Sequence, residues 1–339
     1  MRDLTFYSSI RDFLLTYLPK QRVCSNHTVT AYRRALNQFI SFLSWKKGCD
    51  LSEIGFDDLT RCNVLDFLDE NQSSNGNSPA TRNAKLYALR AFAKYAGTIS
   101  SENYIVFLEL QSVPVQKEEK RVVGYVSEYA IRCILEQPNT STKLGVRDQC
   151  FMVLMYDTAA RDREMLDLRL DCLSLQETVP YVKIVGKGNK MRHVPIMKKT
   201  VAHIQNYIKH FHSDSNSSSY LFYTVSHGTR HQMSDDNAAR FIRKYGDMAK
   251  TNCSDVPDRL TPHMFRHARA LHLYRNGMPL PIISEFLGHA SLQSTQVYAY
   301  ADTEMKRKAI EKARGSTNIP NEIPSWQTDD DIIKKLYGL

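Results

Sequence analysis

The most informative stretch of the chain is residues 261–298, which read TPHMFRHARALHLYRNGMPLPIISEFLGHASLQSTQVY. Its first two residues predict a helix start, because threonine suits an N-cap and proline suits the first helical position. His263 and Arg266 then stand three residues apart, so they share one face of that helix. His289 and Tyr298 follow nine residues apart. A tyrosine, two histidines and an arginine at these spacings are typical of a site that attacks a phosphodiester.

The size and composition of the chain fit a two-domain protein with a polyanionic partner. Its 339 residues suit two domains better than one, and 42% hydrophobic residues let each half bury a core. The formal net charge is +9, which suits nucleic acid, although many basic proteins bind none. The sequence shows no signal-peptide pattern and no apolar run of about 20 residues, so we expect a cytoplasmic protein with no membrane contact.

The first 113 residues predict a small helical domain. Apolar residues recur at helical spacing in four segments, and glycine follows the second and the fourth. The predicted helices cover residues 4–18, 25–45, 59–69 and 79–96. The stretch 114–121 contains a proline and several charges, and it is the predicted linker.

The rest of the chain, residues 122–339, predicts a mixed domain. Residues 181–196 alternate and break at Gly-Lys-Gly-Asn, which predicts a β-hairpin, and 220–223 predict another strand. The predicted helices begin after Ser127 and cover 146–158, 164–170, 234–250, 262–276 and 280–287, with a tail helix at 329–339. The expected fold class is mainly α with a small β-sheet.

The predicted helix over 79–96 has an unusual charge, with four cations and no acid. One interpretation is a solvated basic face. The other is a face that lies against phosphates. The sequence leaves both interpretations open.

Transfer of a phosphodiester without a metal requires three kinds of group. A nucleophile attacks phosphorus, fixed donors hold the charge of the five-coordinate transition state, and an acid protonates the leaving alkoxide. Tyr298 is the candidate nucleophile, and its phenol, with an ordinary pKa of about 10, needs help to lose its proton. Most of the 18 tyrosines serve packing, and Tyr300 is the rival position.

Candidate donors stand at two places along the sequence. His263 and Arg266 can reach one phosphate near the positive end of their helix. Arg161 follows an apolar helix, and a guanidinium can clamp two phosphate oxygens at once. Arg163 and Arg169 are its rivals, and a plain surface role is the alternative for all three.

The candidate acid is Lys187, at the tip of the predicted hairpin between two glycines. The alternative is an ordinary turn. Glu164 follows Arg161 by one turn and is expected to orient it or a neighbouring histidine. Lys190 and Arg192 would add phosphate contacts, whereas His267 and His272 are predicted to lie on other helix faces and to pack or to make structural hydrogen bonds.

Other chemistries fit the sequence poorly. It contains no H-E-x-x-H motif, no P-loop and no G-x-G-x-x-G motif. Seven scattered cysteines without a C-x-x-C pair indicate neither disulfides nor a zinc site. We therefore expect no cofactor and no metal.

Four segments, in one order, carry a family resemblance. They are TAARDREMLDL from Thr158, GKGNKMRHVPI from Gly186, TPHMFRH from Thr261 and LGHASLQSTQVY from Leu287. The chain resembles the tyrosine recombinases, or phage-type integrases, over about residues 122–313, and most closely their Xer-like two-domain members. The N-terminal stretch TRNAKLYALRAF at 81–92 is also similar to the core-binding domain of that family.

The resemblance implies a site-specific recombinase that cuts and rejoins duplex DNA through a 3′-phosphotyrosine, without metal or ATP. It implies a SAM-like helical core-binding domain followed by an α+β catalytic domain. The implied catalytic residues are Arg161, Lys187, His263, Arg266, His289 and Tyr298, with Glu164 in support. The predicted DNA-binding residues are Arg82, Asn83, Lys85, Arg90, Lys190 and Arg192.

The resemblance also implies partners. These are double-stranded DNA with inverted-repeat sites and a homotetramer on two sites, in which the tail helix docks on a neighbouring protomer. Such a protein would be associated with the nucleoid. The expected role is mobilisation or integration of a genetic element.

Three alternative functions remain. Xer-like resolution of chromosome or plasmid dimers uses the same chemistry. Relaxation of the type IB topoisomerase kind is disfavoured by the helical N-terminal domain and the tail. A non-catalytic DNA-binding regulator is disfavoured because all six implied catalytic residues are present.

Two positions depart from the family pattern. Ala159 and Ala160 stand where a glycine usually precedes the first arginine, and alanine costs about 1 kcal/mol if the turn needs a positive φ. Arg269 occupies a position that is commonly apolar, and we expect it to contact DNA or to pack against an acid.

Overall fold

The computed structural model describes residues 4–118, 126–186, 188–213, 216–289 and 291–301, together with 307 and 334 singly. The chain divides into two compact units, Met1–Arg121 and Val122–Leu339. Each unit has its own hydrophobic core.

Helices form the described part of the first unit. Helix α1 is followed directly by a π-helical segment, Phe13–Gln21, which contains Pro19. Short 3₁₀ turns at Leu51–Glu53 and Phe56–Asp58 connect α2 to α3. The helices are α1 Leu4–Asp12, α2 Asn26–Lys47, α3 Arg61–Ser73, α4 Pro79–Ala96 and α5 Ser101–Gln111.

Local sequence explains where these helices begin. Ser25, Thr60 and Ser78 each accept a hydrogen bond from a backbone N–H in the first turn of the helix that follows, which satisfies a donor that the helix itself cannot. Gly48 ends α2 with a φ of 63°, a conformation that favours glycine. The core between the helices is rich in aromatic rings. Its fully buried phenylalanines are Phe6, Phe13, Phe39, Phe67 and Phe92.

The second unit combines helices with small antiparallel sheets. Within the described residues, β1, β2 and β3 form one sheet in that order, and β4 pairs with β5. The strands are β1 Leu173–Ser174, β2 Tyr181–Val185, β3 Met191–Pro195, β4 Tyr223–Ser226 and β5 Thr229–Gln232. The helices are α6 Glu128–Leu135, α7 Lys143–Thr158, α8 Asp162–Leu166, α9 Lys198–Phe211, α10 Asp235–Lys250, α11 Pro262–Arg275, α12 Leu280–Leu287 and α13 Gln293–Ala301.

Helix α7 lies at the centre of this unit and carries the start of the site. Phe151, Met152, Leu154 and Met155 are fully buried, as their apolar run predicts. The helix ends at Thr158, and the chain then turns into α8 through Ala159. The turn places Arg161 next to the α11–α13 region, whose side chains form a separate apolar cluster around Ala159.

The fold class predicted from the sequence is confirmed, as is the hairpin, but some element predictions are wrong. Helices α5, α9 and α13 have no counterpart among the predicted helices. The strand predicted at 220–223 begins only at Tyr223, because Tyr220 forms a single bridge with Arg169 and does not join a ladder. The predicted tail helix at 329–339 lies outside the described residues, apart from the single residue at 334.

Candidate active site

The turn between α7 and α8 fixes the first arginine of the site. Ala159 has a φ of 48°, in the left-handed region, so the turn does require the conformation for which glycine is best suited. The turn exposes about a third of the Arg161 side chain. The Arg161 backbone N–H donates to Glu164 Oε2 at 2.9 Å, which anchors the arginine at the start of α8.

Glu164 is a carboxylate that accepts hydrogen bonds from two arginines, Arg161 and Arg192. Arg161 Nη1 donates to its Oε1 at 2.6 Å, and Arg192 Nη2 donates to its Oε2 at 2.7 Å. Burial alone raises the pKa of this carboxyl, but the hydrogen bonds from Arg192 and Arg161 outweigh it and lower the pKa below the ordinary value. Glu164 therefore stays ionised and holds both guanidinium groups in place.

Arg192 joins the β2–β3 hairpin to the end of α12. Its Nε donates to the Phe286 carbonyl at 3.2 Å, and its guanidinium lies against Gly288. A methyl group added at Gly288 would come within 3.0 Å of Arg192 Nη1. Arg192, predicted from the sequence to contact DNA, is therefore packed among protein groups beside Arg161.

Arg266 lies buried on α11, with 2% of its surface exposed. Its Nη1 donates to the Ala159 carbonyl at 2.8 Å, and its Nη2 donates to the Leu287 carbonyl at 2.7 Å. Burial and the positive charge of Arg161 lower the pKa of Arg266 to about 10, so it remains charged at neutral pH. Arg266 thus joins the α7–α8 turn to the end of α12.

The site carries more positive than negative charge. Arg161, Arg192 and Arg266 lie close enough to repel one another, while Glu164 is the carboxylate among them. Neither carbonyl partner of Arg266 carries a net charge. An anion at this position would offset the repulsion, so the arrangement favours binding of a phosphate.

His289 and Tyr298 are both in this region, but they do not hydrogen-bond each other among the described contacts. A hydrogen bond of 2.8 Å links His289 Nδ1 to Thr295 Oγ1. Burial and the positive charges of Arg266 and Arg161 lower the pKa of His289 to about 4. Tyr298 is 3% exposed and packs in the apolar cluster with Ala159. Burial raises the pKa of its phenol to about 12, although Arg266 opposes the shift.

The group that contacts the Tyr298 hydroxyl is His267. A hydrogen bond of 2.8 Å links His267 Nδ1 to Tyr298 Oη. The ring of exposed His263 lies at 4.7 Å from the His267 ring, edge to face. The prediction that His267 lies on another face of the helix is therefore wrong, because positions 263 and 267 are four apart and share a face. That spacing was the sequence signal that could have identified His267.

Of the two lysines predicted in the hairpin segment, only Lys190 is among the described residues. Lys187 is outside the described residues. Lys190 is exposed, and its carbonyl accepts a hydrogen bond from the Gly186 N–H at 2.8 Å. Its ammonium group is free to approach a polyanion from that position.

Arg82, Lys85 and Arg90, three of the four cations of α4, have partners inside the first unit. Arg90 donates to the carbonyls of Leu110, Gln111 and Val113 at the end of α5. Arg82 is 3% exposed and donates to the Pro114 carbonyl at 3.2 Å. Both arginines therefore hold the end of α5 and the segment that follows it in place.

Asn83 and Lys85 are engaged in the same unit. The Asn83 side chain donates to the Gln116 carbonyl at 2.9 Å and accepts from the Gln116 N–H at 3.0 Å. Half-buried Lys85 donates to Asn71 Oδ1 and lies over the Phe67 ring. The four α4 residues predicted from the sequence to contact DNA are therefore used within the domain.

Arg269 pairs with an acid. Its Nη2 donates to Asp157 Oδ1 at 3.1 Å, and its guanidinium lies over the Tyr156 ring. Of the two expectations for this position, the structure shows the packing against an acid.

Within the described ranges, no helix is both long and apolar enough to cross a membrane. No group of three or more His, Cys, Asp or Glu side chains in those ranges is placed to hold a metal ion.

Comparison with known proteins identifies the two units. Residues 125–305 match the phage integrase family, and residues 10–98 match the phage integrase N-terminal SAM-like domain. The protein y4rC of Sinorhizobium fredii, which is named as an integrase/recombinase, is 26% identical over 331 residues, or 97% of both chains. The tyrosine recombinase XerD of Listeria monocytogenes is 27% identical over 303 residues, which cover 89% of this chain and 97% of XerD.

Solved structures share the fold. The XerH site-specific recombinase bound to palindromic difH substrate gives a TM-score of 0.66 at 20% identity, over 86% of this chain and 81% of XerH. The Tn1549 transposon integrase in complex with transposon right end DNA gives 0.66 at 14% identity, over 91% and 99%. Since the family match spans more than half of the chain, this protein belongs to the phage integrase family, the DNA strand-transferring tyrosine recombinases.

Proposed function

We propose that this protein cuts and rejoins duplex DNA at specific sites, with Tyr298 as the nucleophile and a 3′-phosphotyrosine as the intermediate. The observation that carries the proposal is the cluster of Arg161, Arg192 and Arg266 around Glu164, because its excess positive charge suits a phosphodiester. The Tyr298 hydroxyl lies in the same region, near enough for Arg266 to influence its pKa.

The chemistry is a transesterification. Tyr298 Oη bonds to phosphorus as the bond from phosphorus to the 5′ oxygen breaks, and Arg161 and Arg266 hold the charge of the five-coordinate transition state. A 5′ hydroxyl from a partner strand then attacks the phosphotyrosine and releases Tyr298. The bond energy is kept in the covalent intermediate, so the reaction needs no ATP.

Lys187 is proposed as the acid that protonates the leaving 5′ oxygen, with His263 and His289 as further members of the site. The sequence position of Lys187, between two glycines in the segment that joins β2 to β3, supports the role. Lys187→Ala should slow cleavage of normal DNA about 10²-fold or more, yet slow cleavage much less when the leaving group is a 5′ thiol, which needs no acid. Equal loss on both substrates would remove Lys187 from this role.

The proposed partners follow from the family and the relatives. We propose double-stranded DNA with inverted-repeat sites and a tetramer on two sites, joined by the tail at 329–339. Mobilisation or integration of a genetic element is the first candidate role, supported by the integrase/recombinase name of the Sinorhizobium relative. Dimer resolution is the second, supported by the XerD relatives.

The test is covalent capture on DNA. Nicked duplexes with a randomised core are incubated with the purified chain, and protein–DNA adducts are recovered on a denaturing gel and sequenced to obtain the cleaved site. We expect adducts from the wild type and from Tyr300→Phe, and none from Tyr298→Phe, which still binds the recovered DNA. Adducts from Tyr298→Phe would contradict the assignment of the nucleophile.

A further inference from the structure

The nucleophile of the proposed reaction is held by a histidine that the six predicted catalytic residues do not include. His267 Nδ1 lies 2.8 Å from Tyr298 Oη, a normal hydrogen-bond distance. The two rings lie 5.8 Å apart between centroids. By contrast, His289 bonds to Thr295. The contact to the reacting oxygen therefore belongs to His267.

The protonation states of the pair decide which atom donates. Burial and the positive charge of His263 lower the pKa of His267 to about 4, so its ring is neutral at pH 7. Burial raises the pKa of Tyr298 to about 12, so its phenol is protonated. A neutral imidazole has one ring nitrogen that accepts, and a phenol O–H is a good donor. In the tautomer that carries its proton on Nε2, His267 Nδ1 accepts the hydrogen bond that Tyr298 Oη donates.

Binding of a phosphodiester would make His267 a better base. Besides burial, two nearby groups hold its pKa low, His263 and Arg266. A phosphate placed against Arg266 adds a negative charge that offsets this effect, so the pKa of His267 rises when DNA is bound. The tyrosine proton can then move along the hydrogen bond from Tyr298 Oη to His267 Nδ1.

We propose that His267 is a further catalytic residue, which holds the Tyr298 hydroxyl and accepts its proton as Oη attacks phosphorus. The Oη–P bond forms, the bond from phosphorus to the 5′ oxygen breaks, and the tyrosine proton moves to His267 Nδ1. The leaving 5′ oxygen takes a separate proton from the acid of the site. In the rejoining step the proton on Nδ1 returns to Oη, so protons and electrons balance over the cycle.

This inference rests on the proposed function, and the experiment separates the two. Adduct formation is first measured for the wild type and Tyr298→Phe on the DNA recovered by covalent capture. If the wild type forms no Tyr298-dependent adduct, the proposed function fails and His267 has no reaction to serve. With that adduct established, variants of His267 test the inference alone.

The matched pair of variants is His267→Phe and His272→Phe. Both remove a histidine from α11, and both replace it with a ring. His272 bonds to Tyr156 Oη at 2.8 Å and to the Val126 carbonyl at 2.9 Å, so its loss costs stability without touching Tyr298. We expect His267→Phe to slow adduct formation on the order of 10²–10⁴-fold and His272→Phe to react at nearly the wild-type rate. Equal rates for the two variants would overturn the inference.

The pH profile distinguishes a catalytic role from a structural one. The titratable and charged groups around the pair are His263, Arg266 and His289, and all remain in the variant. Without His267, hydroxide must take the tyrosine proton, so the rate should rise about tenfold per pH unit across roughly pH 6 to 9, more steeply than for the wild type. A lower rate with the wild-type slope would also overturn the inference.

A second variant keeps the test sharp if His267→Phe does not fold. His267→Asn places an amide oxygen near the position of Nδ1, so it can accept the hydrogen bond but cannot take the proton. We expect an adduct rate between those of the wild type and His267→Phe, together with the steep pH profile. Wild-type rate and profile in His267→Asn would contradict proton transfer to His267.

Discussion

Two groups of cations in this protein have similar composition and different surroundings. On α4, Arg90 and Arg82 donate to carbonyls at the end of α5 and beyond, and Lys85 donates to an asparagine. In the second unit, Arg161 and Arg192 share the carboxylate of Glu164, with Arg266 buried beside them.

The two groups of cations differ in how much positive charge and hydrogen-bonding capacity remain available to a ligand. Arg90 donates to the last carbonyls of α5, which carry partial negative charge, and Arg82 donates to the Pro114 carbonyl, so both arginines are engaged within the domain. The site arginines repel one another around one carboxylate and retain an excess of charge. A run of basic residues in a sequence therefore predicts an anion site only when the surrounding structure leaves that charge unbalanced.

The largest expected effect is on Arg161. Arg161→Ala should lower the rate of adduct formation by about 10²–10³-fold, because it removes a donor aimed at the transition-state charge. The matched control is Arg163→Ala, since Arg163 is half-exposed and pairs with Asp167 at 3.3 Å, and it should react like the wild type. The rates come from denaturing gels at saturating protein. A larger loss of rate in Arg163→Ala than in Arg161→Ala would show that Arg163, and not Arg161, is the donor to the transition state.

The α4 side of the comparison is tested by stability. Arg90→Ala should lower the free energy of unfolding of the first unit by about 3 kcal/mol, since charged donors to the last carbonyls of α5 are lost. Lys94→Ala on the same helix is the control, because Lys94 is exposed, and it should change stability by less than about 0.5 kcal/mol. Denaturant unfolding monitored by circular dichroism measures both. Unchanged stability in Arg90→Ala, with a smaller salt slope of DNA binding, would return Arg90 to the DNA interface.

Glu164 gives a pH prediction. Because its pKa is lowered in the folded state, the stability from its ion pairs is fully present above the unfolded value of about 4.3 and is lost as the pH falls through the lower folded value. Glu164→Gln should cost about 1–3 kcal/mol at neutral pH. The difference from the wild type should shrink below about pH 4, and denaturant midpoints across the acid range measure it. A constant difference at every pH would show that the charge of Glu164 is not what holds the arginines.

The smallest expected effect concerns the glycine against which Arg192 packs. Gly288→Ala and Gly228→Ala both place alanine at a positive φ, 63° and 74°, and each costs about 1 kcal/mol for the backbone. Only the first adds a methyl group 3.0 Å from Arg192 Nη1, since nothing lies within 4 Å of a methyl at Gly228. Gly288→Ala should therefore also slow adduct formation severalfold, whereas Gly228→Ala should not. Equal rates would show that the site tolerates movement of Arg192.

The sequence predicted those helices whose apolar residues keep to one face. Helix α4 has the predicted bounds, and α2 begins after Ser25, the predicted start, and ends at Gly48. Helix α5 was missed because its apolar residues form nearly a continuous run, so no single stripe stands out, and Tyr104, Ile105 and Leu108 are exposed. Helix α9 was also missed. Its buried residues recur at helical spacing, but the residue before it makes no side-chain cap.

For the site, too, the sequence could predict some neighbours but not the long-range contacts between side chains. The motifs and the family resemblance predicted that Arg161, Arg266, His289 and Tyr298 share one region, and the spacing of three residues placed Glu164 next to Arg161. The sequence could not show that Tyr298 bonds to His267, because that contact joins α11 to α13 across 31 positions of sequence. Nor could it show that Arg90 donates to carbonyls at the end of the next helix. Long-range partners depend on the packing of whole elements, which periodicity does not record.

The central claim is that the excess positive charge of this site holds a phosphate for attack by Tyr298. Its most direct test is peptide mapping of the wild-type protein–DNA adduct by mass spectrometry after protease and nuclease digestion. We expect a nucleotide linked through its 3′ phosphate to Tyr298, and to no other residue. A nucleotide linked to Tyr300 or to another side chain, or joined through its 5′ phosphate, would contradict it.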